Sequence, residues 1–254
     1  MTPGPDPHLT ETVAPGGAPT WAALQASHRS VAGNTVRAAV LGANDGLVSN
    51  LSLVAGVAGA SLAARTILIT GLAGLAAGSC AMAMGEWISV QTSRELYERE
   101  LRVEAEELKR FPGDEAAELA ALYTQRGLEP EGARRLAESV IADRSVALDV
   151  MAREELGINP DDLGGSPWKA AGSSFAMFCM GAAVPIIPFT VTARTPALVA
   201  SVILSALVLF LLGVLVTTLT GRSPLRSGVR QLLFGLGAAA VTYGIGRLVG
   251  TVIS

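Results

Sequence analysis

SCAMAMGEWISVQTSRELYERELRVEAEELKRFPGDEAAE, residues 79–118, is the stretch whose reading decides the fold. It begins as membrane, with Cys80, Ala81, Met82, Ala83 and Met84 in an apolar run, and it ends as an array of carboxylates that includes Glu104, Glu107, Glu115 and Glu118. No proline falls between Thr66 and Phe111, and from Glu86 onward most residues are good helix formers, so the stretch reads as one helix that leaves a bilayer and continues as an acidic stalk. Met82 and Glu86 stand at i, i+4 on that helix. A thioether and a carboxylate inside a span, joined to clustered carboxylates outside it, point to a route for a metal cation.

Composition agrees with a membrane reading. Half of the 254 residues are hydrophobic, and the mean hydropathy is +0.45. Residues 94–162 hold eighteen of the twenty-two acids but only ten of the nineteen Lys and Arg, a net charge of −8. The four remaining acids are Asp6, Glu11, Asp45 and Glu86, and of these Asp45 and Glu86 lie in apolar sequence. The expected fold is all-α: a polytopic membrane protein with a three-helix hydrophilic domain inserted between its second and third spans. Cys80 and Cys179 both lie in apolar segments and lack CxxC spacing, which argues against a disulfide framework or a zinc site. No prosthetic group, enzyme activity or nucleic-acid partner is expected.

Five apolar runs read as spans: residues 38–64, 66–85, 170–193, 195–221 and 231–254. The division is 1–27, a Pro/Gly-rich disordered tail without a signal-peptide pattern; 28–91, spans one and two; 92–164, the helical insert; and 165–254, spans three to five. With the N-terminus inside, the inner side receives Arg29, Arg37, Lys169, Arg222, Arg226 and Arg230, against Arg65, Arg194 and Arg247 outside. This satisfies the positive-inside rule and makes the insert cytoplasmic. Small residues at four-residue spacing, such as Ala38, Gly42 and Gly46, then Gly74 and Gly78, then Ala240 and Gly244, serve either packing within the bundle or a dimer face.

In the insert, the first helix continues span two to about Arg110 and stops at Phe111-Pro112-Gly113. Asp114 is placed to cap a second helix ended by Gly127, and Pro130 to open a third that runs to about Leu156 before Gly157. Glu104 with Glu107, and Glu115 with Glu118, are i, i+3 pairs, and Met151 with Glu155 is an i, i+4 pair. Three pairs on three short helices can converge on one cluster of hard oxygens with one soft sulfur, a set suited to Fe²⁺ or Mn²⁺. The alternative is a solvated acidic face held by neighbouring Arg residues. Asp45 is the one acid in its span, with Ser49 and Ser52 continuing a polar stripe and Met82 and Glu86 available from span two. An ionisable group at that depth is a functional candidate able to exchange a proton for a cation; its alternative is a packing hydrogen bond.

Several of these segments are similar to a known family. RAAVLGANDGLVS at 37–49 resembles the first-span signature of the vacuolar iron transporter family, in the branch with a cytoplasmic metal-binding domain typified by the yeast vacuolar iron/manganese carrier. MAMGEWIS at 82–89 resembles the second-span signature. Residues 95–118, 151–157 and VPIIP at 184–188 extend the likeness over nearly everything after Ser27. The resemblance implies five spans, a homodimer and proton-coupled export of Fe²⁺ from the cytoplasm. By motif position, Asp45 and Met82 match the family's transport-path residues. Glu104, Glu107, Glu115, Glu118, Met151 and Glu155 match its cytoplasmic metal ligands. One departure is that Met151 is followed by Ala152 where the family can carry a second methionine, which leaves one thioether. The expected function is a divalent-metal/proton antiporter for Fe²⁺ or Mn²⁺, placed in the plasma membrane if the chain is prokaryotic. A dedicated Mn²⁺ exporter and a membrane-anchored metal sensor are the alternatives.

Overall fold

The computed structural model describes residues 31–192, 194–220 and 223–253; the expected tail at 1–27 lies outside the described residues. These residues form nine helices and no strand: α1 (Val31–Gly59), α2 (Ala64–Arg110), α3 (Pro112–Gln125), α4 (Pro130–Ala142), α5 (Ala147–Glu154), α6 (Pro167–Ala183), α7 (Pro188–Val191), α8 (Arg194–Thr220) and α9 (Pro224–Ile253). Four of them are long and apolar enough to cross a bilayer, within Ala39–Gly59, Ala64–Arg110, Thr195–Thr217 and Pro224–Val252. The third apolar run is divided. α6 has 17 residues, and Pro185 and Pro188 end it and begin the four-residue α7, because a proline ring leaves no amide N–H for the helix ladder.

α1 is the centre of the bundle. Leu47, Leu51 and Ala55 pack with Leu209 of α8 and Ala239 of α9, while Val54 and Ala58 meet Ile67 of α2, Phe189 of α7 and Ala197 of α8. The outside is apolar too: Leu72, Ile203, Leu207, Leu211, Leu233, Phe234, Val241, Leu248 and Val252 are all exposed. Such a surface is stable in lipid and not in water. Gly42 and Gly46 of the first span pack within the chain, against α6. A Cβ on Gly46 would run into the Phe178 carbonyl of α6, and one on Gly246 into the Gly56 carbonyl of α1. Gly244, by contrast, has open space in front of it.

α2 decides the shape of the molecule. Its 47 residues span about 70 Å at 1.5 Å each, more than twice a hydrocarbon core of about 30 Å. The continuous helix read from residue 79 onward is present as far as Arg110, and its second half projects from the bundle. Near the point of emergence, Trp87 meets Trp168 at the start of α6, with ring centroids 5.7 Å apart and planes at 59°. Arg94 also donates to the Gly165 carbonyl at 3.1 Å. Both contacts tie the outgoing helix to the returning chain, and paired tryptophans suit a membrane interface.

The insert differs from expectation in two places. α3 begins at Pro112 and not after an Asp114 cap, because proline is well suited to the first turn; a single residue, Phe111, turns the chain. The third helix is two helices. Asp143 Oδ1 accepts from the Ser145 amide at 3.0 Å and from its hydroxyl at 2.6 Å, and this local turn competes with helix and separates α4 from α5. Gly127 ends α3 as anticipated, with φ +99°; its amide bonds the Thr124 carbonyl and that of Leu128 bonds Tyr123. The helices close on Leu119, Ala137 and Met151, with Leu108, Tyr123, Val140 and Ile141 around them. Leu136 is exposed, and Ala133 and Ala137 form the inner face of α4.

Candidate metal centre and transmembrane groove

Glu104 lies on the projecting half of α2, Glu115 in the first turn of α3 and Glu155 at the C-terminal cap of α5. One carboxylate oxygen from each lies within 4.8 Å of the others. Oxygens that share one cation at about 2.0–2.6 Å from it stand roughly 3 to 5 Å apart, so the trio has the spacing of a ligand set. Glu104 is 3% exposed, and its Oε1 has no hydrogen-bond partner among the described residues. A buried carboxylate oxygen without a donor is unfavourable unless a proton or a cation meets it.

The electrostatics bring in the other two glutamates. Burial pushes the Glu104 carboxyl up to about 7, helped by the negative charges of Glu155, Glu115, Glu107 and Glu118. Burial also raises Glu115, with Glu118, Glu155 and Glu107 adding to it and a hydrogen bond with Glu104 opposing it. Glu155 is raised by burial, then by Glu118 and Glu107. Glu107 and Glu118, exposed at the rim, thus add their charge to the field felt by the other three. Ion pairs among the described residues go to Glu98, Glu106, Glu131, Glu138, Asp149, Glu154 and Asp161 and reach none of the five. Met151 is completely buried in the apolar centre of the insert, packed with Leu119 and Ala137.

In the bundle, Asp45 and Met82 line one open groove of about 640 Å³ between α1 and α2. Asn44, Ser49, Asn50, Gly74, Gly78 and Phe178 also line it. Asp45 forms no hydrogen bond or ion pair among the described residues, so the packing alternative finds no partner for it. Asn44 pairs instead with Gln231 of α9. Two sequence expectations do not meet here: Glu86 and Ser52 are not among the lining residues, and the Ser52 carbonyl accepts from the Thr242 hydroxyl of α9. Asn50, Gly74 and Gly78 were not read as site residues. Their signal was a polar amide in an apolar span and small residues that clear space on the facing helix.

Apolar helices with an outward apolar surface, around a groove that holds an unpaired carboxylate, define a multi-pass membrane protein. Residues 36–247 match the model of the VIT family, and the chain belongs to that family. It is 32% identical to vacuolar iron transporter 1 of Eucalyptus grandis over 222 residues, 86% of this chain and 88% of the relative. The figures for vacuolar iron transporter 1 of Arabidopsis thaliana are 32% over 222 residues, 86% and 87%. For the vacuolar iron transporter of Acanthamoeba castellanii they are 35% over 228 residues, 87% and 82%. The family is one of transporters, and the chain is not an enzyme.

Proposed function

We propose that the chain is a homodimeric carrier that exports Fe²⁺ from the cytoplasm, with Mn²⁺ as the other cargo, in exchange for protons entering from outside. The reading rests on one observation above others: Glu104, Glu115 and Glu155 converge around a buried oxygen without a partner, on the helix whose other half lines the groove with Asp45 and Met82. In this reading residues 92–164 form a cytoplasmic capture domain. The three converged glutamates, with Glu107 and Glu118 at the rim and the Met151 sulfur as a soft donor, take the ion. Asp45 and Met82 receive it at the membrane, with Glu86 between the two sites on α2.

Protons and metal compete for the same oxygens. Glu104 binds a proton near neutrality, so a divalent ion entering the cluster displaces it, and the cluster loads best when the cytoplasm is not acidic. Asp45, alone in a long apolar run, alternates between cation-bound and protonated forms as the carrier cycles. The orientation is cytoplasmic N-terminus and insert, with five crossings when α6 and α7 are counted as one, supported by the loop charges. The relatives are named for the vacuole; for a prokaryotic chain the corresponding barrier is the plasma membrane, and the direction, away from the cytoplasm, is the same.

Full-length protein in sealed proteoliposomes tests this. Fe²⁺ and Mn²⁺ should move, faster with an opposing proton gradient, and protons should move the other way. Metal binding without flux under every gradient would leave a membrane-anchored binding protein and overturn the carrier reading.

A further inference from the structure

Asn50 is 3% exposed, inside an apolar helix, and its two amide ends have different fates. Nδ2 donates to the Ala182 carbonyl of α6 at 2.6 Å. Only the NH₂ end can donate to a carbonyl, so this contact fixes which way the amide points. Oδ1 is then turned to α2, where it is fully buried and accepts no hydrogen bond among the described residues. It faces Gly74, where an added Cβ would stand 2.9 Å from it. Asn50 and Gly74 both line the groove that holds Asp45 and Met82. An amide satisfied at one end and unpaired at the other, opposite a residue without a side chain, lacks one partner that the described residues do not supply.

The two pairs stand in series. From Asp45 to Asn50 the rise along α1 is roughly 7.5 Å, and from Met82 to Gly74 along α2 it is roughly 12 Å in the same direction in space, since the helices run antiparallel. That direction leads away from the carboxylate cluster. We propose that Asn50 Oδ1 is the next cation ligand of the groove, taking a divalent first-row ion from Asp45 and Met82. The assignment rests on the carrier reading above. A neutral hard oxygen after a carboxylate suits this position: it replaces part of the ion's hydration shell yet holds the ion weakly enough to let it go.

The test is Fe²⁺ and Mn²⁺ flux by the full-length chain in proteoliposomes, for wild type, Asn50→Leu and Asn50→Asp, with assembly checked by gel filtration. Asn50→Leu should lower flux about tenfold or more at sub-saturating metal, the scale on which losing one supporting ligand acts. Asn50→Asp keeps an oxygen and adds charge, so its half-saturating concentration should fall several-fold while its maximal rate drops. A packing role predicts the opposite for the aspartate, which loses the bond to Ala182 and offers nothing in return. Wild-type flux and half-saturation in Asn50→Leu would overturn the assignment and leave the carrier reading standing. Should Asn50→Leu fail to assemble, the aspartate decides alone, and an unchanged half-saturating concentration overturns it. Absence of flux in wild type would remove the carrier reading and this ligand with it.

Discussion

Glu104→Gln separates the two demands placed on the insert, folding and cation capture. In the unfolded chain this carboxyl ionises near 4.5, and in the fold near 7. The native state thus holds the proton more tightly, so the stability it lends is fully present below pH 4.5 and is lost as pH rises through about 7. The two values correspond to about 3 kcal/mol less stability for the metal-free fold at pH 8 than at pH 4, as an upper figure. For a chain of this size that is a melting shift of roughly 5–10 °C. Glutamine keeps the shape, can still donate to Glu115 and never ionises. Metal-free Glu104→Gln in detergent should therefore melt higher than wild type at pH 8 and match it at pH 4. The residual slope belongs to Glu115 and Glu155, which burial raises as well. Mn²⁺ should reverse the order, raising the wild-type midpoint at pH 8 far more than the variant's, since one anionic ligand is gone. Differential scanning fluorimetry with chelator, then with Mn²⁺, measures both effects. A variant with the wild-type pH slope and the wild-type response to Mn²⁺ would show that Glu104 titrates as an ordinary surface acid and binds nothing.

Four other outcomes are expected. Asp45→Asn should fold and capture metal in the insert like wild type but lose metal flux and the linked proton movement; wild-type transport with wild-type pH dependence would make Asp45 a packing residue. A cysteine placed at Thr251 should be labelled from outside intact cells, and one at Ser223 only after permeabilisation; the reverse pattern would invert the orientation and move the insert out of the cytoplasm. Gly46→Leu should destabilise the bundle by about 1–3 kcal/mol or prevent assembly, because its Cβ meets the Phe178 carbonyl. Gly244→Leu, with open space in front of it, should be silent in the monomer, so loss of a dimer in that variant, measured by light scattering, would mark Gly244 as part of the subunit interface.

Much of this protein is legible in one dimension because a bilayer imposes simple rules. An apolar run must be helical, since lipid offers no partner to a backbone N–H, and a proline-free, acid-rich continuation must project. The 47-residue α2, the hydrophilic insert and the isolation of Asp45 follow from those rules. So do the helix stops at Gly127 and near Gly157, which lie in the left-handed region open to glycine. The i, i+3 spacing of Glu104 with Glu107 and of Glu115 with Glu118 put each pair on a helix face, though not yet against another helix.

Tertiary structure decided what those faces meet. Whether Glu104 is a solvated acid or a buried one depends on how Phe111 turns α3 back onto α2 and on the Asp143 turn that frees α5 to bring Glu155 alongside, neither of which has a periodicity to read. Met151 and Glu155 share a helical repeat in sequence; that Met151 packs with Leu119 and Ala137 while Glu155 stands beside Glu104 and Glu115 is set by the fold. Helical spacing alone lets either Met82 or Glu86 face Asp45, and the crossing of α1 and α2 puts Met82 on the groove with it. The polarity of Asn50 is visible in the sequence. That one end of its amide is satisfied and the other is not depends on the Ala182 carbonyl, 132 residues away in the chain. Hydrogen-bond satisfaction at a buried group is a property of three-dimensional neighbours, and no local pattern encodes it.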